Sequence, residues 1–168
     1  MNTLSLKSRS VWRACAIDAV LLAVGCCVPT LSHLLALPLY QLNPMLFVLL
    51  AGILLVRDRR NAYLLAVLLP VVSMLAVGMP TPMKALCMAA EYATVVFVCG
   101  RLQGKAVGYV GMVGVSVAAM LSGKVVYYLL KAFVMSPVVL VGTPVATQLV
   151  VVVAAALIYS TLHVKLRL

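Results

Sequence analysis

The sequence predicts an all-α, polytopic membrane protein: a six-transmembrane-helix bundle with both termini cytoplasmic. Three observations carry this. Six long apolar runs cross the chain with only short connections between them. Hydrophobic residues make up 65% of its 168 residues and mean hydropathy is +1.20, outside the range of ordinary soluble domains. The basic residues fall almost entirely in every second gap between the runs. Because translocating Lys and Arg is costly, such gaps stay cytoplasmic.

Lys7, Arg9 and Arg13 precede the first run, Arg57, Arg59 and Arg60 follow the second, Arg101 and Lys105 the fourth, and Lys165 and Arg167 the sixth. The gaps after the first and fifth runs, around Pro38–Pro44 and Met135–Gly142, carry no charge, and the gap after the third holds only Lys84. These three gaps are expected to face outward. A spanning helix takes roughly 20 residues, so six of them leave no room for a soluble catalytic domain, and residues 1–168 read as one integral membrane domain.

The first span is expected at about residues 14–37, with Pro29 as a kink because proline removes a backbone donor. The run is too long for a signal-peptide h-region and has no small-x-small cleavage site, so it is expected to remain as a span. The segment Leu37–Pro44, with two prolines and an Asn, reads as an outer loop folding back over the bundle. The second span, about 45–56, is short, and Arg57–Asn61 is the first inner turn. The third, about 62–77, contains Pro70 and ends in the rigid turn Gly78-Met79-Pro80-Thr81-Pro82. The fourth, about 83–100, has Gly100 as its expected stop. The fifth, about 106–134, opens on closely spaced glycines and ends at Ser136-Pro137. The sixth, about 143–163, is rich in Val and Ala.

The formal net charge of +10 does not indicate nucleic acid. The basic residues stand beside spans, where they set topology and favour anionic inner-leaflet lipid. Cys15, Cys26, Cys27, Cys87 and Cys99 form no CxxC pair, and neither His33 nor His163 has a ligand partner at helical spacing, so no metal or other cofactor is expected. The cysteines read as small packing residues. Gly100-Arg-Leu-Gln-Gly104-Lys105-Ala106 lacks the spacing and the Ser/Thr of a phosphate-binding loop, and no Ser/His/Asp or HExxH arrangement exists. The chain is therefore not expected to be an enzyme, and any ATP hydrolysis would come from partners.

Only Asp18, Asp58 and Glu91 are acidic. Asp58, among three arginines, reads as a solvated salt bridge. Asp18, near the inner end of span one, can pair with Arg13 or another inner base. Glu91 lies seven residues into span four, ~10 Å below the outer surface at 1.5 Å per residue, and Lys124 lies at a similar depth in span five. Charges inside a span are costly and normally face a bundle interior or wet cavity, often paired. Two readings stay open: an ion pair that only locks the two spans, and a polar pocket entered from outside. Tyr127 and Tyr128 lie one turn outward from Lys124, Met88 and Tyr92 flank Glu91, and Gln148 sits at comparable depth in span six. Tyr40, Gln41 and Asn43 are placed to cap the site from the first outer loop. Aromatics with a few convergent polar groups suit a small-molecule site. Lys84 and Lys124 suit a carboxylate or phosphate and the tyrosines a ring, while the acidic residue leaves an amine equally open.

Small-residue spacings, Ala19-x-x-x-Ala23 on span one and Gly100-x-x-x-Gly104-x-x-x-Gly108 leading into span five, permit close helix approach. Together with "LPLYQLNPMLFVLLAGILL" at 37–55 and "GMPTPMKALCMAAEY" at 78–92, the six short spans without an ATPase motif resemble a substrate-binding S component of an energy-coupling factor (ECF) vitamin transporter. The resemblance implies a receptor in a prokaryotic cell membrane that binds a vitamin or related micronutrient from the outer side. It further implies association with a membrane T component and two cytoplasmic ATPases, and release of the ligand inside. By resemblance, Ala19 and Ala23 match the alanine motif that meets the T component. The family's binding region falls where Glu91, Lys124, Tyr128 and Gln148 lie. Two other classes fit six spans: a non-transport scaffold of the rod-shape-determining type, and a self-sufficient ion-coupled transporter with Glu91 as proton carrier. The second usually shows inverted repeats, and none is visible.

Overall fold

The computed structural model describes residues 3–34, 42–56, 58–134 and 144–167, and these are almost wholly helical, with no strand among them. Among the described residues six α-helices follow one another: α1 (Thr3–Leu34), α2 (Pro44–Val56), α3 (Arg59–Val77), α4 (Pro82–Leu102), α5 (Gly108–Val134) and α6 (Val145–Arg167), with one 3-10 turn over Gln103–Lys105. Five of them contain stretches long and apolar enough to cross a membrane; α2, at 13 residues, is apolar but shorter. Leu75, Leu86, Phe97, Val110, Phe133 and Val150 all point outward. In water such a surface would be a liability, and helices apolar on every face belong in lipid. The chain is a multi-pass helical membrane protein.

Side-chain neighbours fix the helix directions. Asp18 meets Asn61 and Gly25 meets Leu69, so α1 and α3 run the same way. The guanidinium of Arg59 donates to the Gly100 carbonyl, which sets the start of α3 beside the end of α4. Tyr109 with Thr161, and Ser116 with Ser160, place α5 and α6 antiparallel. All helices therefore alternate in direction. One end of the bundle gathers Arg13, Arg59, Arg60, Arg101, Lys105 and Lys165 and is called here the basic end; the other carries Asn43, Gly78–Pro82 and Pro144.

Short α2 runs through the middle, touching α1, α3, α4 and α6, while α4 and α5 share the most extensive interface. The core is built where they meet, from Leu46, Leu49, Leu65, Leu69, Val95, Met120, Ala155 and Tyr159. Proline and glycine mark the turns. Gly78, at φ +74°, closes α3 in the left-handed conformation, its N–H bonded to Met74 O. Ser73 donates to Met79 O across that turn at 2.8 Å, and Pro82 occupies the first turn of α4, where no backbone donor is needed.

Helix positions agree with the sequence to within a few residues, except that α1 begins at Thr3 and continues as one helix through Pro29. Four local expectations are corrected. Asp58 is the N-cap of α3, accepting from Arg60 N at 3.0 Å, and makes no ion pair with Arg59 or Arg60. Asp18 is buried against Asn61 rather than paired with the exposed Arg13. Gly100 does not stop α4, which runs on to Leu102. The Gly100/Gly104/Gly108 spacing does not form one packing face: a β-carbon at Gly100 would meet the Arg59 side chain at the start of α3, whereas those at Gly104 and Gly108 would meet nothing. The loop segments Pro38–Gln41 and Met135–Gly142, with Tyr40, Ser136 and Pro137, and also Arg57, lie outside the described residues.

Candidate functional site

Glu91 and Lys124 form an ion pair, Nζ to Oε1 2.7 Å. Glu91 stands nine residues from the start of α4 and Lys124 ten from the end of α5, so both lie roughly 13–15 Å in from the end opposite the basic one at 1.5 Å per residue. The helices approach closely here because position 123 is glycine, whose missing side chain leaves room for Val95 and the Glu91 backbone. The contact is charge-assisted and short, and it is open on one side only: the Glu91 side chain is 3% exposed and that of Lys124 19%.

Lys124 lines a cavity of about 520 Å³ between α5 and α6, within the usual size of small-molecule pockets. Tyr128 and Gln148 line it too, and the rest of its wall is aliphatic, from residues such as Leu121, Val145 and Val152. The cavity opens outward between the two helices rather than being sealed. Tyr128 Oη donates to Gln148 Oε1 at 2.7 Å, tying α5 to α6 beside it. Three polar residues from two helices thus stand in an almost wholly apolar wall, with the Lys124 ammonium on Glu91 and the Tyr128 hydroxyl on Gln148.

Behind this wall, toward α4, Tyr127 packs edge-to-face on Tyr128 with centroids 5.4 Å apart. Lys124 Nζ lies 5.5 Å from the Tyr127 ring centroid and Lys131 Nζ 5.9 Å, both within cation–π range. Tyr92 is fully buried and donates to Asn43 Oδ1 at 2.9 Å. Asn43 itself takes a positive φ of 48°, a conformation asparagine tolerates better than most residues, and its carbonyl accepts from Leu46 N as α2 begins. Tyr92 and Asn43 therefore fix the entry of α2 and do not line the cavity. Lys84 is exposed near the start of α4, in electrostatic reach of Lys131. Tyr40 lies outside the described residues.

The structure thus brings together Glu91, Lys124, Tyr127, Tyr128 and Gln148 and sets Tyr92 with Asn43 apart from them. It adds Lys131 and Gly123, neither of which the sequence marks out. Ala19 and Ala23 sit on the outer face of α1, exposed together with Val20 and Val24. No group of three or more potential metal ligands exists among the described residues. A second polar group ties the basic end: Gln103 donates to Tyr159 Oη, and Tyr159 stacks at 5.8 Å on His163.

Fold and site together define a multi-pass helical membrane protein with a charge pair buried between two spans beside an apolar cavity. Comparison with protein-family models, with curated proteins and with solved structures finds no match for this chain.

Proposed function

We propose that the chain is a substrate-binding S component of an ECF-type importer in a prokaryotic cell membrane, with the basic end and both termini on the cytoplasmic side. The observation that carries this reading is the presentation of Lys124 to the α5–α6 cavity by an almost wholly buried Glu91. A lysine in a span is expensive unless something fixes and uses it; Glu91 fixes it, and a small molecule in the cavity would use it. Tyr128 and Gln148 supply further hydrogen-bonding groups, and Tyr127 holds the ammonium from behind. In this scheme Tyr92, Asn43 and Lys84 act outside the cavity, the first two by shaping the α2 entry.

Two further features support the assignment. Ala19 and Ala23 offer a small-residue face on the outer surface of α1, which lets another membrane helix come close and suits a T component. The sequence has no nucleotide-binding motif, so transport energy comes from two partner ATPases. The ligand is a micronutrient taken from the side opposite the basic end and released on the cytoplasmic side once the complex assembles.

Co-expression with an ECF T component and its two ATPases tests this. The tagged chain is expected to co-purify with all three subunits, and Ala19→Leu with Ala23→Leu is expected to abolish that association while the isolated protein stays folded. Failure of the wild type to associate with any T component would count against the assignment.

A further inference from the structure

The cavity between α5 and α6 is drawn out along the helix axes. Leu121, Val125 and Leu129 line it from α5 at every fourth residue, a spacing that keeps them on one face. Val145, Leu149 and Val152 line it from antiparallel α6. These walls extend ~12 Å and ~10 Å at 1.5 Å per residue. Among the described residues, everything that lines the cavity belongs to α5 or α6 and nothing to α1–α4. Val125, Leu129 and Val145 are more than half exposed and Leu149 nearly so. The mouth therefore turns sideways, to the surrounding lipid.

The polar residues of the wall are engaged with other side chains. Lys124 Nζ lies 2.7 Å from Glu91 and 5.5 Å from the Tyr127 ring centroid, so its methylene stem rather than its charge runs along the cavity. Tyr128 donates to Gln148 at 2.7 Å. A polar ligand body would give up its water against such a wall with few hydrogen bonds in return. A hydrocarbon body gives up nothing, and walls on both sides of it offer more dispersion contacts than a convex helix face does. A partner helix is a poor occupant. Membrane helices approach one another through Gly, Ala, Ser and Thr, and the lining contains none of these.

We propose that the ligand of this protein carries an alkyl chain and enters the cavity sideways from the outer leaflet, the chain lying between α5 and α6 along the direction of the lipid tails. Depth fits this route. At 27 residues α5 is ~40 Å long, the thickness of a bilayer with its headgroups. Leu129 stands ~8 Å and Leu121 ~20 Å from its outer end, so the cavity occupies the level of one leaflet. The part of Lys124 that stays open, 19% of its side chain, is left for one acceptor on the ligand. This inference rests on the ligand-binding reading above and adds the class of ligand and its way in.

Photolabelling tests the inference. The full chain, as a single copy in phosphatidylcholine nanodiscs, is irradiated with a trace of a long-chain alcohol bearing a mid-chain diazirine, or with a short, water-soluble diazirine alcohol, and adducts are mapped by mass spectrometry. The long-chain probe is expected to label Val125 and Leu149 about tenfold more than Val150 and Leu86, a preference equivalent to about 1.4 kcal/mol; the latter two are more exposed but lie outside the cavity. The short probe is expected to leave the cavity unlabelled. Leu129→Trp combined with Val145→Trp, at exposed positions of the outer mouth, should cut labelling of Val125 and Leu149 by a similar factor, whereas Val150→Trp should not. Even labelling of cavity and control positions would mean ordinary lipid contact and overturn the proposal. Stronger cavity labelling by the short probe, which means entry from water, would overturn it too, as would loss of cavity labelling in discs holding two copies, which gives the cavity to a second copy. The wild-type ratio needs no variant, so a tryptophan variant that misfolds leaves the test intact, and one that folds and labels like the wild type contradicts the proposal. Co-purification with a T component is read separately, so failure of the alkyl-chain proposal is distinguishable from failure of the transporter assignment.

Discussion

Gly123 and Glu91 are in such close contact that a β-carbon on Gly123 would lie 2.9 Å from the Glu91 carbonyl oxygen and 2.8 Å from Val95 Cγ2. That approach lets Lys124, the next residue, reach the Glu91 carboxylate. Helix propensity alone favours replacing the glycine, by about 1 kcal/mol for alanine. Packing predicts the reverse. Gly123→Leu should separate α4 from α5 and lower unfolding stability in detergent by at least ~2 kcal/mol, toward the upper end of overpacking costs. A Gly123→Leu variant as stable as the wild type would mean that the close contact is not needed.

The alternation of charge predicts the orientation in the membrane. Single cysteines introduced as Arg60→Cys and Lys105→Cys, in a background lacking the native cysteines, should be labelled by impermeant reagents only from the cytoplasmic side. Thr81→Cys and Val145→Cys should be labelled only from outside. Any one of the four reacting from the wrong side would break the six-span arrangement.

Six apolar runs announced the helices because burying 20 or so apolar residues against lipid needs no tertiary detail. The pairing of Glu91 with Lys124 was equally legible: charges are so costly in a span that two at one depth seek each other. Lys131 was not legible. A lysine three residues from a helix end reads as a terminal charge, and only the rotation of α5 against α4 turns it inward. Gly123 was hidden for a related reason. The conspicuous Gly100/Gly104/Gly108 spacing straddles the end of α4 and the start of α5, so it never forms one face, while an isolated glycine carries no periodic signal. Tyr92 was placed at the site as a neighbour of Glu91 and Asn43 as a cap from the first outer loop, yet their side chains meet each other at the start of α2.

Tyr128 and Gln148 join α5 to α6 through one hydrogen bond of 2.7 Å beside the cavity. Interhelical hydrogen bonds in membranes average about 0.6 kcal/mol and reach about 1.7 kcal/mol. Tyr128→Phe should therefore cost less than ~2 kcal/mol in unfolding free energy while removing a hydroxyl beside the proposed ligand cavity. A larger loss of stability would show that the hydroxyl supports the fold rather than the site.

The N-cap of α3 offers a control remote from the cavity. Asp58→Ala removes the acceptor for Arg60 N and should cost ~1 kcal/mol, with amide exchange faster in the first turn of α3. Ligand affinity should not change. Weaker ligand binding in Asp58→Ala would indicate that the basic end communicates with the opposite half of the bundle.

Lys124 faces the cavity and Glu91 holds it there, and a double-mutant cycle distinguishes that division of labour from a simple lock between α4 and α5. Lys124→Met leaves Glu91 buried without a counter-ion, at a cost of ~3–5 kcal/mol. Glu91→Gln should be milder, because Lys124 is the more exposed partner and opens on the cavity. Combining both should recover most of the lost stability. The decisive reading pairs this recovery with uptake, by the assembled complex, of any small molecule that mass spectrometry finds bound to the purified wild type. Restored stability without restored uptake is the predicted result. A double variant with wild-type stability and wild-type uptake would contradict a ligand-binding role for the pair.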